Sequence, residues 1–328
     1  MKRLLLLAAL TVVFCVSGFG QEKKTGWEDH GLQGKVKDFK TAVYTVTGGS
    51  DAVTKDKKQS DRHAVFSKRG NRVIITDHRF TDNKIRYTEI LKYDEDGECI
   101  ETNSYDSKGN FLNKNVYRYE NGHCVESLSY NSDGSLSRRF ISTYDERDNW
   151  IEEGDYNGDG SLNERSVYSY DENDFHIETK LYDSAGLLSQ KEVFKRDNRG
   201  NCIEASYYDA DDNFLGKGVF KYDGNNHCIE DKHYGADGEL GYTLVYGYDD
   251  KGRMIKDSRY NGLITLFKYD DKGNRGEARN YGPSGTPGKE TVYRYKFDRK
   301  GNWVVTTTYE NGTPVELEER TIKYFGLF

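Results

Sequence analysis

From about residue 62 onward the chain alternates apolar and polar residues over runs of seven to nine, punctuated by Asp/Asn-Gly clusters roughly every twelve residues. Period-two alternation in β-branched and aromatic residues predicts half-buried strands, and the clusters between them predict tight turns with glycine at positive φ. The same unit recurs. Tyr93-Asp-Glu-Asp-Gly97-Glu-Cys-Ile100-Glu returns as Tyr144-Asp-Glu-Arg-Asp-Asn-Trp-Ile151-Glu, as Tyr170-Asp-Glu-Asn-Asp-Phe-His-Ile177-Glu and as Tyr222-Asp-Gly-Asn-Asn-His-Cys-Ile229-Glu. Unit starts from Tyr119 onward are spaced 25, 26, 26, 26, 26, 21 and 28 residues apart, and the 21-residue copy, 248–268, has lost most of its second turn. Each unit reads as one β-hairpin, and tandem hairpins predict a continuous antiparallel meander of roughly 16 to 19 short strands with almost no helix.

Columns of the repeat indicate how it packs. Ile100, Val125, Ile151, Ile177, Ile203, Ile229, Ile255 and Val304 form one aliphatic column. It is flanked on one side by Cys99, Cys124, Trp150, His176, Cys202, Cys228, Met254 and Trp303, and on the other by Glu101, Glu126, Glu152, Glu178, Glu204 and Glu230. Strict alternation sends both flanking columns to the face opposite the aliphatic one. Apolar residues therefore occur on both faces, and the sheet is expected to curl or spiral enough to enclose one of them, with side-chain ladders between neighbouring units.

Organisation along the chain is simple. Met1-Lys2-Arg3 followed by the apolar run from Leu4 to Val16, with small residues at Gly18 and Gly20, reads as a secretory signal over 1–20, cleaved before Gln21. Phe14 precedes Cys15 where a lipid-modification site takes a small residue, which disfavours a lipoprotein. A short segment, 21–34, leads into a single repeat domain, 35–328, with a polar loop at 47–61 and a second loop at 282–288. The location expected is secreted, periplasmic or cell-envelope, not membrane-spanning once the signal is removed. A terminal Phe328 raises an outer-membrane barrel, but Glu, Lys and Arg on both faces leave no uninterrupted lipid-facing row.

Nine Tyr-Asp dipeptides occur, most of them at a repeat start or a second turn, and Tyr-Asp-x-x-Gly-Asn/Arg stands intact at Tyr269 to Asn274 and at Tyr248 to Arg253. This pattern resembles the YD repeats of the Rhs family, over about residues 62 to 328. The resemblance implies hairpins packed side by side into long spiralling sheets that form a hollow shell, and an exported location. No autoprotease-like core or toxin domain is recognisable after the repeats, so a standalone exported repeat protein is expected.

Composition then limits the chemistry. The chain has 328 residues with 31% charged, 35% hydrophobic and 13% aromatic, a formal charge of −7, and −9 once Lys2 and Arg3 leave with the signal. An acidic balance argues against nucleic acid as partner. Asp155-Tyr-Asn157-Gly-Asp159-Gly160 matches the first half of a calcium loop, with Ser166 where the bidentate Glu belongs; the competing reading is an ordinary hairpin turn. Cys99, Cys124, Cys202 and Cys228 share one column, two strand spacings apart in neighbouring units, too far for disulfides and therefore expected as free packed thiols. The Glu column reads as a solvated ladder balanced by Lys and Arg, and no nucleophile or phosphate-binding motif occurs. The function expected is an exported binding or structural scaffold without enzymatic activity and without a cofactor other than that calcium candidate. Its unknown partner is an envelope protein or a glycan. The alternatives are a glycan-binding module using Tyr and Trp ladders, and behind it a polysaccharide-active enzyme.

Overall fold

A computed structural model describes residues 26–49, 52–79 and 87–326. The signal at 1–20 and the terminal Phe328 lie outside the described residues.

After a four-residue helix, α1 (Gly26–Asp29), the elements among the described residues are all β-strands. The first strands are β1 (Val36–Gly49), β2 (Ala52–Phe66), β3 (Arg72–Arg79), β4 (Tyr87–Tyr93), β5 (Cys99–Asp106), β6 (Phe111–Glu120), β7 (His123–Asn131) and β8 (Leu136–Tyr144). The central ones are β9 (Trp150–Asn157), β10 (Leu162–Tyr170), β11 (His176–Tyr182), β12 (Leu188–Arg196), β13 (Cys202–Asp209), β14 (Phe214–Tyr222) and β15 (Cys228–Gly235). The last are β16 (Leu240–Tyr248), β17 (Met254–Ser258), β18 (Ile264–Tyr269), β19 (Arg275–Tyr281), β20 (Pro287–Phe297), β21 (Trp303–Glu310) and β22 (Thr313–Tyr324). Every strand pairs antiparallel with its sequence neighbours, and β1 pairs with β22 through Lys40 opposite Thr321 and Thr41 opposite Arg320. The expected meander is present, but it does not spiral on: it closes into a 22-stranded barrel.

Two further expectations are corrected. The stretch 47–61 is not a loop, because β1 and β2 form one long hairpin across it, with Thr47 opposite Thr54 and Ala42 opposite Asp61. That hairpin, together with β3 and β4, raises the strand number above the expected range. Secondly, the Cys and Glu columns lie on opposite faces. Each first turn is followed by a β-bulge: Lys195 faces Glu204, yet Arg196 faces Cys202, leaving Ile203 as the extra residue. A bulge interrupts strict alternation, which no column count in the sequence reveals.

The turns explain why Tyr-Asp-x-x-Gly repeats. In the turn after β10, Asp171 N–H donates to the Phe175 carbonyl and Asp174 N–H to the Asp171 carbonyl, a three-residue hairpin loop whose last residue is left-handed. Asp174 has φ 62° there, and Gly134 and Gly200 hold the same position at 84° and 83°. The Asp171 carboxylate accepts from the N–H groups of Asn173 and Phe175, both at 2.9 Å. The preceding Tyr170 hydroxyl donates to the Trp150 carbonyl, twenty residues back, at 2.8 Å, and Tyr119 and Tyr222 reach Cys99 and Cys202 in the same way. Arg196, which replaces Tyr in its unit, sends Nε to the His176 carbonyl at 2.6 Å. Tyr, Asp and Gly are thus the hydrogen-bonding parts of one hairpin end.

Stagger sets the size. Ser166 faces Leu181 and Leu181 faces Gln190, two residues short of the position equivalent to Ser166 one unit on. About two residues of stagger per hairpin tilt the strands by roughly 36°, and 22 strands at ~4.8 Å then enclose a cross-section about 40 Å wide if circular. Contacts such as Asn149 with Asp174, Asn201 with Asn226 and His176 with Phe194 link neighbouring positions around the wall. The best-packed place is the seam, where Leu32, Val36, Phe39, Ala64 and Phe66 cluster with Trp27, Ile322 and Tyr324.

Candidate functional site

The two faces of the wall have different chemistry. One carries the bulge residue Cys202 with Phe194 and Ala205, against Tyr207 and Phe220. The other carries Glu204, held by Lys195 at 2.6 Å and Lys217 at 2.8 Å, and Glu230, held by Lys221 at 2.8 Å and Lys232 at 3.0 Å. Glu126 lies between Arg118 and Arg139 in the same manner. Side chains on the inside of a curved wall converge and those outside splay, so the ring-bearing, more buried face is the concave one and the Glu ladder is convex. The expected ladder balanced by Lys and Arg is therefore the outer skin of the barrel.

Curvature separates carboxylates of the same type. The two lysines hold Glu204 below the usual carboxylate range. On the concave face of β12, burial pushes Glu192 above it. Glu153 is likewise raised by burial, then by the charges of Asp155 and Glu164, and Glu318 by burial. Beside Glu318, Arg320 lies 3.1 Å from the Trp303 ring centroid and is lowered by burial to about 10. The inner wall is thus acidic, desolvated and lined with rings.

The calcium pattern is taken up by the fold. Asp155 is buried on the concave face and accepts from Arg138, with Nε at 2.6 Å, and from Asn163 at 2.8 Å. Asn157 opens a hairpin turn, Gly160 N–H donating to its carbonyl, and the Asp159 carboxylate accepts from Ser161 N–H and Oγ. Among the described residues no group of three or more His, Cys, Asp or Glu is arranged to hold a metal. Cys99, Cys124, Cys202 and Cys228 are free thiols, each donating to the carbonyl two residues on. His176 occupies the same slot and hydrogen-bonds the Glu178 carbonyl at 3.0 Å.

Two places break the uniformity of the inner wall. The first is a shallow concavity of about 310 Å³ lined by Trp150, Tyr144, Phe140, Ser127, Ser142 and Glu153. The Trp150 indole N–H is buried without a hydrogen-bond partner there. The second is a row of rings at the short repeat. Phe220 lies 6.3 Å from His233, His233 stacks on Tyr242 at 4.5 Å, and Tyr242 lies 6.3 Å from Tyr260 in the turn between β17 and β18. Tyr260 is 77% exposed. The repeat-opening Tyr119, Tyr144, Tyr170, Tyr222 and Tyr269, in contrast, each donate their hydroxyl to a backbone carbonyl. Sequence reading missed both places, although the 21-residue spacing marks the second.

No known family model matches the sequence, and no curated protein does. Among solved structures, the chain is similar to TcdB2-TccC3 without its hypervariable C-terminal region, at 13% identity and TM-score 0.38, covering 76% of this chain and 15% of that one. A Tc holotoxin pore from Photorhabdus luminescens matches at 14% identity and TM-score 0.30, over 77% of this chain and 15% of that one. A porin-like protein from Bacteroides uniformis matches at 11% identity and TM-score 0.29, over 88% of this chain and 96% of that one. The chain thus spans about 15% of the length of the two toxin chains. None of the three reaches a TM-score of 0.5, and none assigns a function or a membrane topology.

Proposed function

We propose that the protein is an exported binding scaffold of the cell envelope, a water-filled barrel that takes its ligand on the concave side. The observation that carries this reading is the opposition of the two faces: neutralised Glu/Lys/Arg ladders outside, desolvated carboxylates and rings inside. A lipid-facing wall needs an apolar band, and each charge at the bilayer midplane costs about 2–4 kcal/mol. The convex face sets Ile141, Val219 and Val245 directly opposite Glu126, Glu204 and Glu230, so ion pairs interrupt its aliphatic column and leave no continuous apolar band. In this reading the barrel binds rather than catalyses, its lining being shaped by packing.

The test is flotation of the mature chain, from Gln21, with phosphatidylcholine vesicles. Retention of folded protein in the aqueous fraction is expected, and co-flotation with protease-protected strands would overturn the aqueous reading.

A second reading, glycan binding, is favoured at one place by the Trp150 concavity, where an indole and two further rings stand beside Glu153. Sugar stacking on a ring there predicts glycan-array signals that Trp150→Ala removes while Trp303→Ala does not. Equal loss in both variants would count against the concavity.

A further inference from the structure

We propose that the rim notch at the short repeat is a docking site for an extended, basic polypeptide segment, which adds to the unpaired edge of β16 as a strand. The inference rests on the binding-scaffold reading and names the partner chemistry at one point of it.

Missing residues make the notch. The unit 248–268 is five residues shorter than the unit before it, and β17 and β18 are each three residues shorter than β15 and β16, leaving a gap roughly 10 Å deep. Pairing to the following strand begins at Gln190 in β12 and at Gly216 in β14, but only at Tyr246 in β16, four residues after the equivalent Tyr242. Val245 N–H points across the gap to Ser258 Oγ at 2.5 Å. Backbone groups two residues apart on a regular stretch of strand point the same way, so the N–H and C=O of Thr243 also face the gap, where no strand stands opposite; beyond it Gly241 is the extra residue of a bulge against β15. Open edges of this kind are normally covered or blunted, and strand addition satisfies their groups at the right spacing.

Its surroundings specify the occupant. On the concave side the added strand meets Tyr242 and Tyr260, 37% and 77% exposed, and Leu240, 51% exposed, closes the outer end. Asp257 faces Tyr246 across the pair and makes no ion pair among the described residues, while Asp231 is shared with His233 at 2.8 Å. Exposed tyrosine faces beside unpaired carboxylate favour Lys or Arg at alternate positions of the guest. The formal charge of −7 on the whole chain favours the same sign. Gly241 leaves the approach clear of a side chain.

The probe is a fluorescein-labelled heptapeptide of alternating Lys and Val, read by polarisation against the mature chain. Binding is expected, and N-methylation at alternate residues, which removes one edge of donors, should weaken it at least about tenfold. Asp257→Asn and a peptide with Glu in place of Lys should each weaken it. Thr243→Pro removes a gap-facing N–H without touching the bonds to β15, and should abolish binding with little change in thermal midpoint. Replacing 258–263 by a copy of 232–242 restores a 26-residue unit that pairs along β16, and should abolish binding in a folded protein.

Undiminished binding by the restored unit or by the N-methylated peptide overturns the proposal, as does absence of binding at millimolar peptide. So does a wild-type dimer that the restored unit converts to monomer, since the occupant is then a second copy. Failure of the peptide with the protein still aqueous in flotation removes this inference and leaves the scaffold reading standing.

Discussion

The regular wall and the seam are built in different ways. In units such as β11 to β16 each strand leans on its neighbours through hydrogen bonds, ring contacts and ion pairs, and buried apolar side chains are few, the main group being Phe194, Cys202 and Ala205. At the seam, α1, β1, β2 and β22 bring together Leu32, Val36, Phe39, Ala64 and Phe66, with Val36 at 0% exposure and Arg320 over Phe39 at 5.1 Å. A repeating wall propagates by nearest-neighbour contacts and has no reason of its own to stop. The non-repeating end supplies the apolar cluster that locks the two edges together and removes the open strand edges.

The largest effect expected from breaking this contrast lies at the seam. Phe39→Ala should lower unfolding stability by about 3–5 kcal/mol, as for a large ring removed from a closed cluster. Ile203→Ala on the wall, where the side chain is 38% exposed, should cost under about 1 kcal/mol. Urea denaturation followed by tryptophan fluorescence compares the two, and equal losses would remove the distinction.

A smaller effect tests the hairpin ends. Tyr222→Phe deletes the hydroxyl that donates to the Cys202 carbonyl at 2.9 Å, and should cost about 0.5–1.5 kcal/mol in the same measurement. No change would mean that the column is held by ring packing alone.

The smallest effect sharpens the contrast between the faces, and its sign depends on pH. Glu192 has a folded pKa above its ordinary 4.5, so its contribution is most favourable below that value and is lost as pH rises through the raised one. Glu192→Gln should therefore raise the thermal midpoint at pH 7 and give no such gain at pH 4. Glu204, depressed by Lys195 and Lys217, contributes above its ordinary 4.5 and loses that contribution as pH falls through the folded value. Glu204→Gln should lower the midpoint at pH 7, with the deficit fading in acid. Shifts of the same sign at pH 7 would contradict the assignment of concave and convex faces.

Much of the fold was legible because the unit carries its own chemistry. Tyr170, Asp171 and the left-handed position at Asp174 specify a hairpin end from local hydrogen bonds, and repetition specifies the meander. Closure was not legible, since it depends on β1 and β22 meeting across nearly the whole chain through residues outside the repeat, such as Phe39 opposite Ile322. Polarity misled at 47–61, where Lys55, Lys57 and Lys58 stand on a strand whose pairing to β1 needs no apolar side chain. The bulge at Ile203 reassigned the Glu column to the outside, a one-residue effect that alternation hides. The notch was present in the sequence as a 21-residue spacing, but a count of residues does not say which strand edge is left unpaired.

Closure is tested most directly at the seam. Lys40 and Thr321, both exposed and directly opposed, are close enough in an antiparallel pair for a disulfide. With Cys99, Cys124, Cys202 and Cys228 replaced by Ala, Lys40→Cys with Thr321→Cys should oxidise readily. The expected result is a peptide linking residues 40 and 321, with faster migration on non-reducing gels. A folded variant in which both thiols remain fully open to alkylation, with no linked peptide, would mean that the wall is an open sheet.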